Sequence, residues 1–231
     1  MRFILPTLLM LASKVLATPV DPRAVSPFGG EEELLAPNDV DTVASLEFIG
    51  PVTPGGPNVT LYGTAKGIYE QIIKLNPEYD VFAFPENAAE FAAEGLTRED
   101  IETSKNPARS LLASRDLDKR GQYNCKIGKY VGNFNTQCVE GLLYLRRLGQ
   151  SWCGAKARSC ARVSCSHNCG MYLCSKLKKE KKVRCASIAK DISHIAGECG
   201  VRVGTSAFTV LRARGRKHFN SHNIELSSTR C

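Results

Sequence analysis

The chain has 231 residues, with 31 Lys+Arg against 23 Asp+Glu, a formal net charge of +8 and ten cysteines. Beyond the N-terminus no run approaches ~18 uninterrupted apolar residues, which argues against a transmembrane segment in the mature protein. An even number of cysteines in a small exported segment favours disulfide bonds over free thiols or metal ligands, so we expect no metal and no cofactor.

The N-terminus has the three parts of a secretory signal peptide. Arg2 supplies a positive start, residues 3–12 are apolar, and Val15-x-Ala17 offers a cleavage site. We therefore expect residues 1–17 to be removed after Ala17 and the product to be secreted and extracellular.

Residues 18–120 differ in composition from the rest of the chain. They contain no cysteine and carry 18 Asp+Glu against 9 Lys+Arg, a net charge of −9. The Pro- and Gly-rich opening predicts a disordered linker. Farther on, we predict a small folded unit over residues 45–95, with a strand at 59–63, a helix that aligns Ile68, Ile72 and Leu75, and a second helix over 86–96. Asn58-Val59-Thr60 is a glycosylation acceptor sequence, so a glycoprotein is expected.

A dibasic pair, Lys119-Arg120, marks the end of this acidic segment. It resembles the site of a kexin-type processing protease, which cuts after Lys-Arg, and flexible linkers are exposed to proteases. A second pair, Arg146-Arg147, lies inside an apolar-periodic segment, where folding would hide it. We therefore predict that residues 18–120 form an acidic pro-region that is removed at Lys119-Arg120.

Residues 121–231 form the predicted mature domain, which is basic and rich in cysteine. The segment carries 20 Lys+Arg against 5 Asp+Glu, a net charge of +15. Self-repulsion of this size opposes compaction, and disulfide bonds offset it. All ten cysteines are expected to pair, with a connectivity that the sequence leaves open: Cys125, Cys138, Cys153, Cys160, Cys165, Cys169, Cys174, Cys185, Cys199 and Cys231.

The predicted elements of this domain alternate between strands and helices. A strand at 123–127 precedes a helix that begins at Thr136 as N-cap and stops at Gly149. Strands at 161–165 and 171–176 form a hairpin, and a second helix over 185–199 ends at Gly200. A last strand pair, 207–213 and 223–228, flanks a basic loop. This order predicts an α+β fold, a small disulfide-rich sandwich with two helices on one face of an antiparallel sheet.

Residues 121–231 are similar to a known group of proteins. The shared features are ten cysteines, two helices, a central hairpin, a second helix flanked by Cys185 and Cys199, and a final Cys231. The segment resembles the smut-type killer toxins and, more broadly, the secreted cysteine-rich effectors of filamentous fungi. The resemblance implies a signal peptide, a pro-region and a Lys-Arg cut, and it implies no catalytic residue.

The acid-base residues of the domain offer an enzymatic alternative, a secreted ribonuclease-like toxin. His194 and Glu198 stand four residues apart on a helix, as in a solvated salt link, while His218 and His222 lack a third metal ligand. No Ser-His-Asp arrangement or phosphate loop is recognisable, so we predict that the protein is not an enzyme. The remaining candidates are Glu140, Glu180, Glu225 and His167.

Two basic segments, 176–184 and 211–218, form the predicted binding surface. We expect a monomeric effector, a virulence or host-interaction protein, that binds a host or competitor protein or an anionic surface. Nucleic acid would be attracted by the same charge without specificity. The alternative is a killer-type toxin acting on target membranes or channels, although both helices commit their apolar stripes to the core. The surface comprises Lys176, Lys178, Lys179, Lys181, Lys182, Arg184, Arg212, Arg214, Arg216, Lys217 and His218.

Overall fold

A nine-stranded sheet is the main feature of the computed structural model, which describes residues 43–102, 122–205 and 208–231. These residues fall in one compact unit of an α+β fold, as predicted. The predicted signal peptide with Ala17 and the predicted processing pair Lys119-Arg120 lie outside the described residues.

The acidic segment, residues 43–102, is folded into strands and helices. Thr64 caps the first helix by accepting a hydrogen bond from the Gly67 amide, at 3.3 Å, and Ile68 and Ile72 of that helix are fully buried. Leu75, which was predicted on the same face, is instead 57% exposed. The elements are β1 (Ala44–Pro51), β2 (Asn58–Gly63), α1 (Ala65–Leu75), a 3-10 turn (Val81–Ala83), α2 (Pro85–Ala93) and α3 (Arg98–Glu102).

The cysteine-rich segment, residues 122–231, supplies nine strands and three helices within its described part. The strands are β3 (Gln122–Asn124), β4 (Trp152–Ala155), β5 (Cys160–Ser166), β6 (Cys169–Ser175), β7 (Lys181–Arg184), β8 (Val201–Gly204), β9 (Thr209–Arg212), β10 (Gly215–His218) and β11 (His222–Ser228). The helices are α4 (Phe134–Gln137), α5 (Val139–Arg147) and α6 (Cys185–Cys199).

Strands of both segments build the main sheet, in the order β3-β10-β11-β6-β5-β1-β4-β7, with β2 paired to β1. All pairs are antiparallel except β1 with β5, which is parallel. β1 therefore lies inside the sheet. Its residues 47–49 pair with β2 on one edge and with β4 on the other. The residues predicted to fold over 45–95 do form strands and helices, and β1 among them shares a sheet with the cysteine-rich segment.

The hydrophobic core runs continuously through both segments. Leu46 and Phe48 of β1 are fully buried, as are Leu145 of α5 and Ile192 of α6. These residues belong to one cluster. Helices α5 and α6 pack against each other, and α1 packs against α5. The core is therefore a joint product of the two segments.

Five disulfides pair all ten cysteines, which confirms the predicted framework. Each bond closes within the cysteine-rich segment, and none involves the acidic segment. The pairs are Cys125–Cys199, Cys138–Cys169, Cys153–Cys185, Cys160–Cys174 and Cys165–Cys231.

Several local predictions are confirmed and others are wrong. The hairpin β5–β6 turns at His167 and Asn168, whose φ angles are +51° and +63°, and α6 has the predicted bounds. The first helix of the cysteine-rich segment, α4, begins earlier than predicted, because Asn133 and not Thr136 is its N-cap. The predicted basic loop after residue 213 contains β10, which pairs with β11 and β3.

Candidate functional site: exposed cations and an apolar ribbon

We call three lysines the lysine ridge: Lys178 and Lys179 in the connection between β6 and β7, and Lys181 at the start of β7. The Ser175 hydroxyl shapes this connection, since it accepts from the Leu177 amide at 3.3 Å and donates to the Lys179 carbonyl at 3.2 Å. Lys178 and Lys179 are exposed and Lys181 is half-buried. Within the described part of the chain, none of the three ammonium groups lies within 4 Å of a carboxylate oxygen. Lysines at a sheet edge also discourage pairing with a further strand.

The other cations of segment 176–184 are held by neighbours. Lys176 donates to the Phe219 carbonyl at 2.9 Å. Arg184 stacks on Trp152, 3.8 Å from the ring centroid, and donates to the Gln150 carbonyl at 2.6 Å. Their charges are accordingly less available to a partner than those of the lysine ridge.

Lys182 contacts a pair of carboxylates that joins the two segments. Its ammonium group lies 3.3 Å from Glu180 and 3.4 Å from Glu47 of β1. The hydrogen bond between the two carboxyl groups raises the pKa of Glu180 and lowers that of Glu47. The Lys182 ammonium group thus lies against carboxylates of both segments.

The second predicted basic segment, 211–218, does not form one exposed surface. Arg216 and Lys217 are 5% and 1% exposed. Arg216 is paired with Glu225 at 2.7 Å, and the Lys217 ammonium group lies 2.8 Å from Asp191 of α6. The prediction that these two side chains contact a partner conflicts with their burial. Both are covered by neighbouring elements, because Arg216 contacts β11 and Lys217 contacts α6.

Arg212 and Arg214 remain at the surface. Their guanidinium groups stack on Tyr130, at 5.3 and 4.3 Å from the ring centroid, and Arg214 also donates to the Gly128 carbonyl at 3.0 Å. His218 is half-buried at the end of β10. Aromatic stacking orders an arginine while its outer edge stays available for hydrogen bonding.

His222 is a buried neutral histidine. Its ring stacks on Phe219 with centroids 4.4 Å apart and an interplanar angle of 3°. Burial, aided by Lys181, Lys176 and Lys217, lowers its pKa to about 4. A neutral, stacked ring of this kind is a poor ligand for an anionic partner.

The acid-base candidates lie in separate places. Glu140 contacts Lys66 at 3.2 Å and His167 at 3.7 Å on the outside of α5. Burial acts to raise the pKa of Glu140, but hydrogen bonds from Lys66 and Ser166 bring it below its usual value. Glu225 is buried beside Arg216, and burial raises its pKa. His194 contacts the Lys217 ammonium group at 3.3 Å, and Glu198, one turn farther along α6, is exposed to solvent.

One trio of possible metal ligands comes together in the described residues, namely Cys160, Cys174 and Glu225. Both sulfur atoms are already joined in a disulfide bond. The trio therefore offers a metal ion only a single carboxylate.

A two-stranded ribbon, β8 with β9, exposes an apolar face that the sequence analysis missed. Val201 and Val203 are 42% and 43% exposed, and Phe208 is 71% exposed. Val201 pairs with Arg212 and Val203 with Val210, so these four side chains share a face. Leu211 on the opposite face packs against the core. The alternation Val201-x-Val203 was the available signal.

Two further findings bear on location and kinship. Among the described residues, no helix is both long and apolar enough to cross a bilayer. Five disulfides fit a protein of an oxidising, extracellular environment. Comparison of the chain with family models, with curated proteins and with solved structures found no match.

Proposed function

We propose that this chain is a secreted effector-type protein that acts by binding anionic groups on the surface of a target cell. The observation that carries this proposal is the lysine ridge, whose three ammonium groups have no carboxylate neighbour in the described part of the chain while nearby Lys182 has two. Ammonium groups without a carboxylate partner in the protein break no ion pair when they bind an external anion, so such binding costs little free energy.

Binding without catalysis is supported by the state of the acid-base residues. Glu225 forms an ion pair with Arg216, and the ring of His222 is stacked on Phe219. Glu140 and His167 form the remaining pair, on an open surface. A ribonuclease assay with single-stranded RNA tests this part, and RNA cleavage that is lost in His167→Asn would contradict it.

The experiment for the binding proposal compares two sets of charge reversals. Lys178, Lys179 and Lys181 are replaced by Glu in one variant, and exposed Lys126, Lys129 and Lys156 in the other, so that both change the net charge equally. Association of labelled protein with intact plant and fungal cells should fall at least tenfold in the ridge variant only, and should weaken with salt. Equal loss in both variants would mean that net charge and not this site controls binding.

The β8–β9 ribbon favours a second candidate function, a killer-type toxin that acts on target membranes. Exposed Val201 and Val203 share a face with Arg212, and exposed Phe208 lies at the other end of the ribbon, an arrangement suited to insertion at the surface of an anionic bilayer. Binding to phosphatidylcholine vesicles with and without phosphatidylserine tests it. Replacing Phe208 by Ser should abolish binding to anionic vesicles, with Leu75→Ser, another exposed apolar residue, as control.

A further inference from the structure

The acidic segment is built into the sheet that the cysteine-rich segment completes. We propose that cleavage after Arg120 yields a two-chain protein, in which the upstream acidic chain stays bound without a covalent link to residues 121–231. This differs from the removal expected from the sequence. It goes beyond the proposed function, because it concerns which polypeptides make up the secreted molecule.

Strand β1 is the first argument for retention. Residues 44–45 pair with β5 and residues 47–49 pair with β4. In the described part of the chain, β1 is the one strand that connects the β4–β7 pair to the five-stranded part of the sheet. Departure of the acidic chain would therefore open the edges of β4 and β5 and divide the sheet of the cysteine-rich chain in two.

Apolar burial is the second argument. Leu46, Phe48, Ile68, Ile72 and Ile101 of the acidic segment all have 0% exposure. They belong to the same cluster as the buried residues of α5 and α6. Separation of the chains would expose both sides of this core to water, which is the largest unfavourable change that dissociation can cause.

Polar contacts across the two segments are the third argument. Glu94 of the acidic segment lies 2.8 Å from the guanidinium group of Arg146, which is 3% exposed. Tyr79 donates to the Arg147 carbonyl at 2.9 Å, and Asn87 accepts from the Gln150 amide at 2.7 Å. These groups on α5 and the turn after it obtain their partners from the acidic segment, so a cut elsewhere in the chain leaves the contacts intact.

The turn after α5 is shaped for this contact. Gly149 has a φ of +63°, which glycine adopts without steric cost, and a Cβ atom there would collide with the Asn87 amide. The cysteine-rich chain is thus complementary in shape to a side chain of the acidic segment.

The decisive experiment cuts the folded full-length protein. A variant in which residues 110–114 are replaced by the recognition sequence of a site-specific protease is purified as a secreted, oxidised chain, cleaved, and analysed by size exclusion and native mass spectrometry. We expect both fragments to co-elute in equal amounts at low and at high salt, and to separate in urea without any reductant. Separation in native buffer, or at high salt alone, would overturn the proposal, since an apolar interface does not depend on ionic attraction.

A pair of point variants links retention to β1 itself. In the cleaved protein, Phe48→Ala should accelerate release of the acidic chain at least tenfold, while Leu75→Ala, in the same chain but exposed, should leave release unchanged. Where Phe48→Ala fails to accumulate, Tyr79→Phe removes only the hydroxyl bound to the Arg147 carbonyl and should still accelerate release several-fold. Equal release rates in all variants would contradict the interface described above.

Secreted material from the native source gives an independent result. Intact-mass analysis should find the product that begins at Gly121 together with an acidic chain that ends at or before Arg120. A preparation that contains only residues 121–231 and is fully folded would contradict the proposal.

Discussion

The acidic and the cysteine-rich segments are stabilised in different ways although they share one sheet. Five disulfides lie within the cysteine-rich segment, whereas the acidic segment contributes none and is held by the pairing of β1 and by burial. The composition changes sharply at residue 120, but the fold does not. The comparison teaches that a sharp change in composition need not mark the limit of a folding unit.

Phe48→Ala should produce the largest effect, because it attacks the strand that joins the two segments. Loss of a fully buried phenylalanine costs about 3–5 kcal/mol, and both segments should unfold together at lower urea concentration, as measured by circular dichroism. Leu75→Ala is the control, with an expected change within about 0.5 kcal/mol. An unchanged midpoint for Phe48→Ala would mean that β1 does not stabilise the sheet in solution.

Removal of the Cys153–Cys185 disulfide should have the next largest effect. This bond ties β4 to the start of α6, and we expect replacement of both cysteines by Ala to cost about 2–4 kcal/mol in the free energy of unfolding. Removal of Cys160–Cys174, which joins strands already paired and spans 14 residues instead of 32, should cost less. Equal losses would contradict this ranking of the two bonds.

Glu94→Gln tests the ionic contact between the segments. The substitution removes the carboxylate 2.8 Å from the buried guanidinium group of Arg146, at a cost of about 2–3 kcal/mol in the free energy of unfolding, measured with urea. The variant should also become sensitive to a kexin-type protease at Arg147, because Arg146-Arg147 is the second dibasic pair and its first residue is covered in the folded chain. Exposed Glu86→Gln is the matched control and should change neither property.

His222 gives a smaller, pH-dependent effect within the cysteine-rich segment. Its pKa is about 4 in the folded chain and near 6.5 in the unfolded chain, so only the unfolded chain gains a proton between these values. Its contribution to stability is complete above pH 6.5 and falls as the pH drops toward 4, by about 2 kcal/mol at pH 5. His222→Phe should flatten this part of the stability profile, while exposed His167→Asn should not. A profile identical to the unsubstituted protein would assign the loss to other groups.

Local signals in the sequence predicted the helices and the central hairpin. The stripe of Ile188, Ile192 and Ile195 has a helical period, and Asn168 favours the left-handed backbone of a tight turn. These elements could be recognised because each depends on residues close together in the chain.

Long-range pairing is what the sequence analysis could not predict. β1 alternates buried Leu46 and Phe48 with outward Glu47, yet its partners β4 and β5 follow about a hundred residues later, and no local pattern connects them. Arg216 and Lys217 were misplaced for a related reason. Their burial depends on Glu225 and Asp191, so charge in the sequence predicted solvent where the fold supplies an ion pair.

Trp152, the single tryptophan of the chain, lies on β4 directly opposite Ile49 of β1 and beneath the guanidinium group of Arg184. Its indole is 40% exposed, so its emission depends on both water and these neighbours. The molecule thus contains one tryptophan fluorophore, and it lies where the two segments meet. Its emission spectrum and its quenching by iodide report in real time whether β1 is paired with β4, without an attached label.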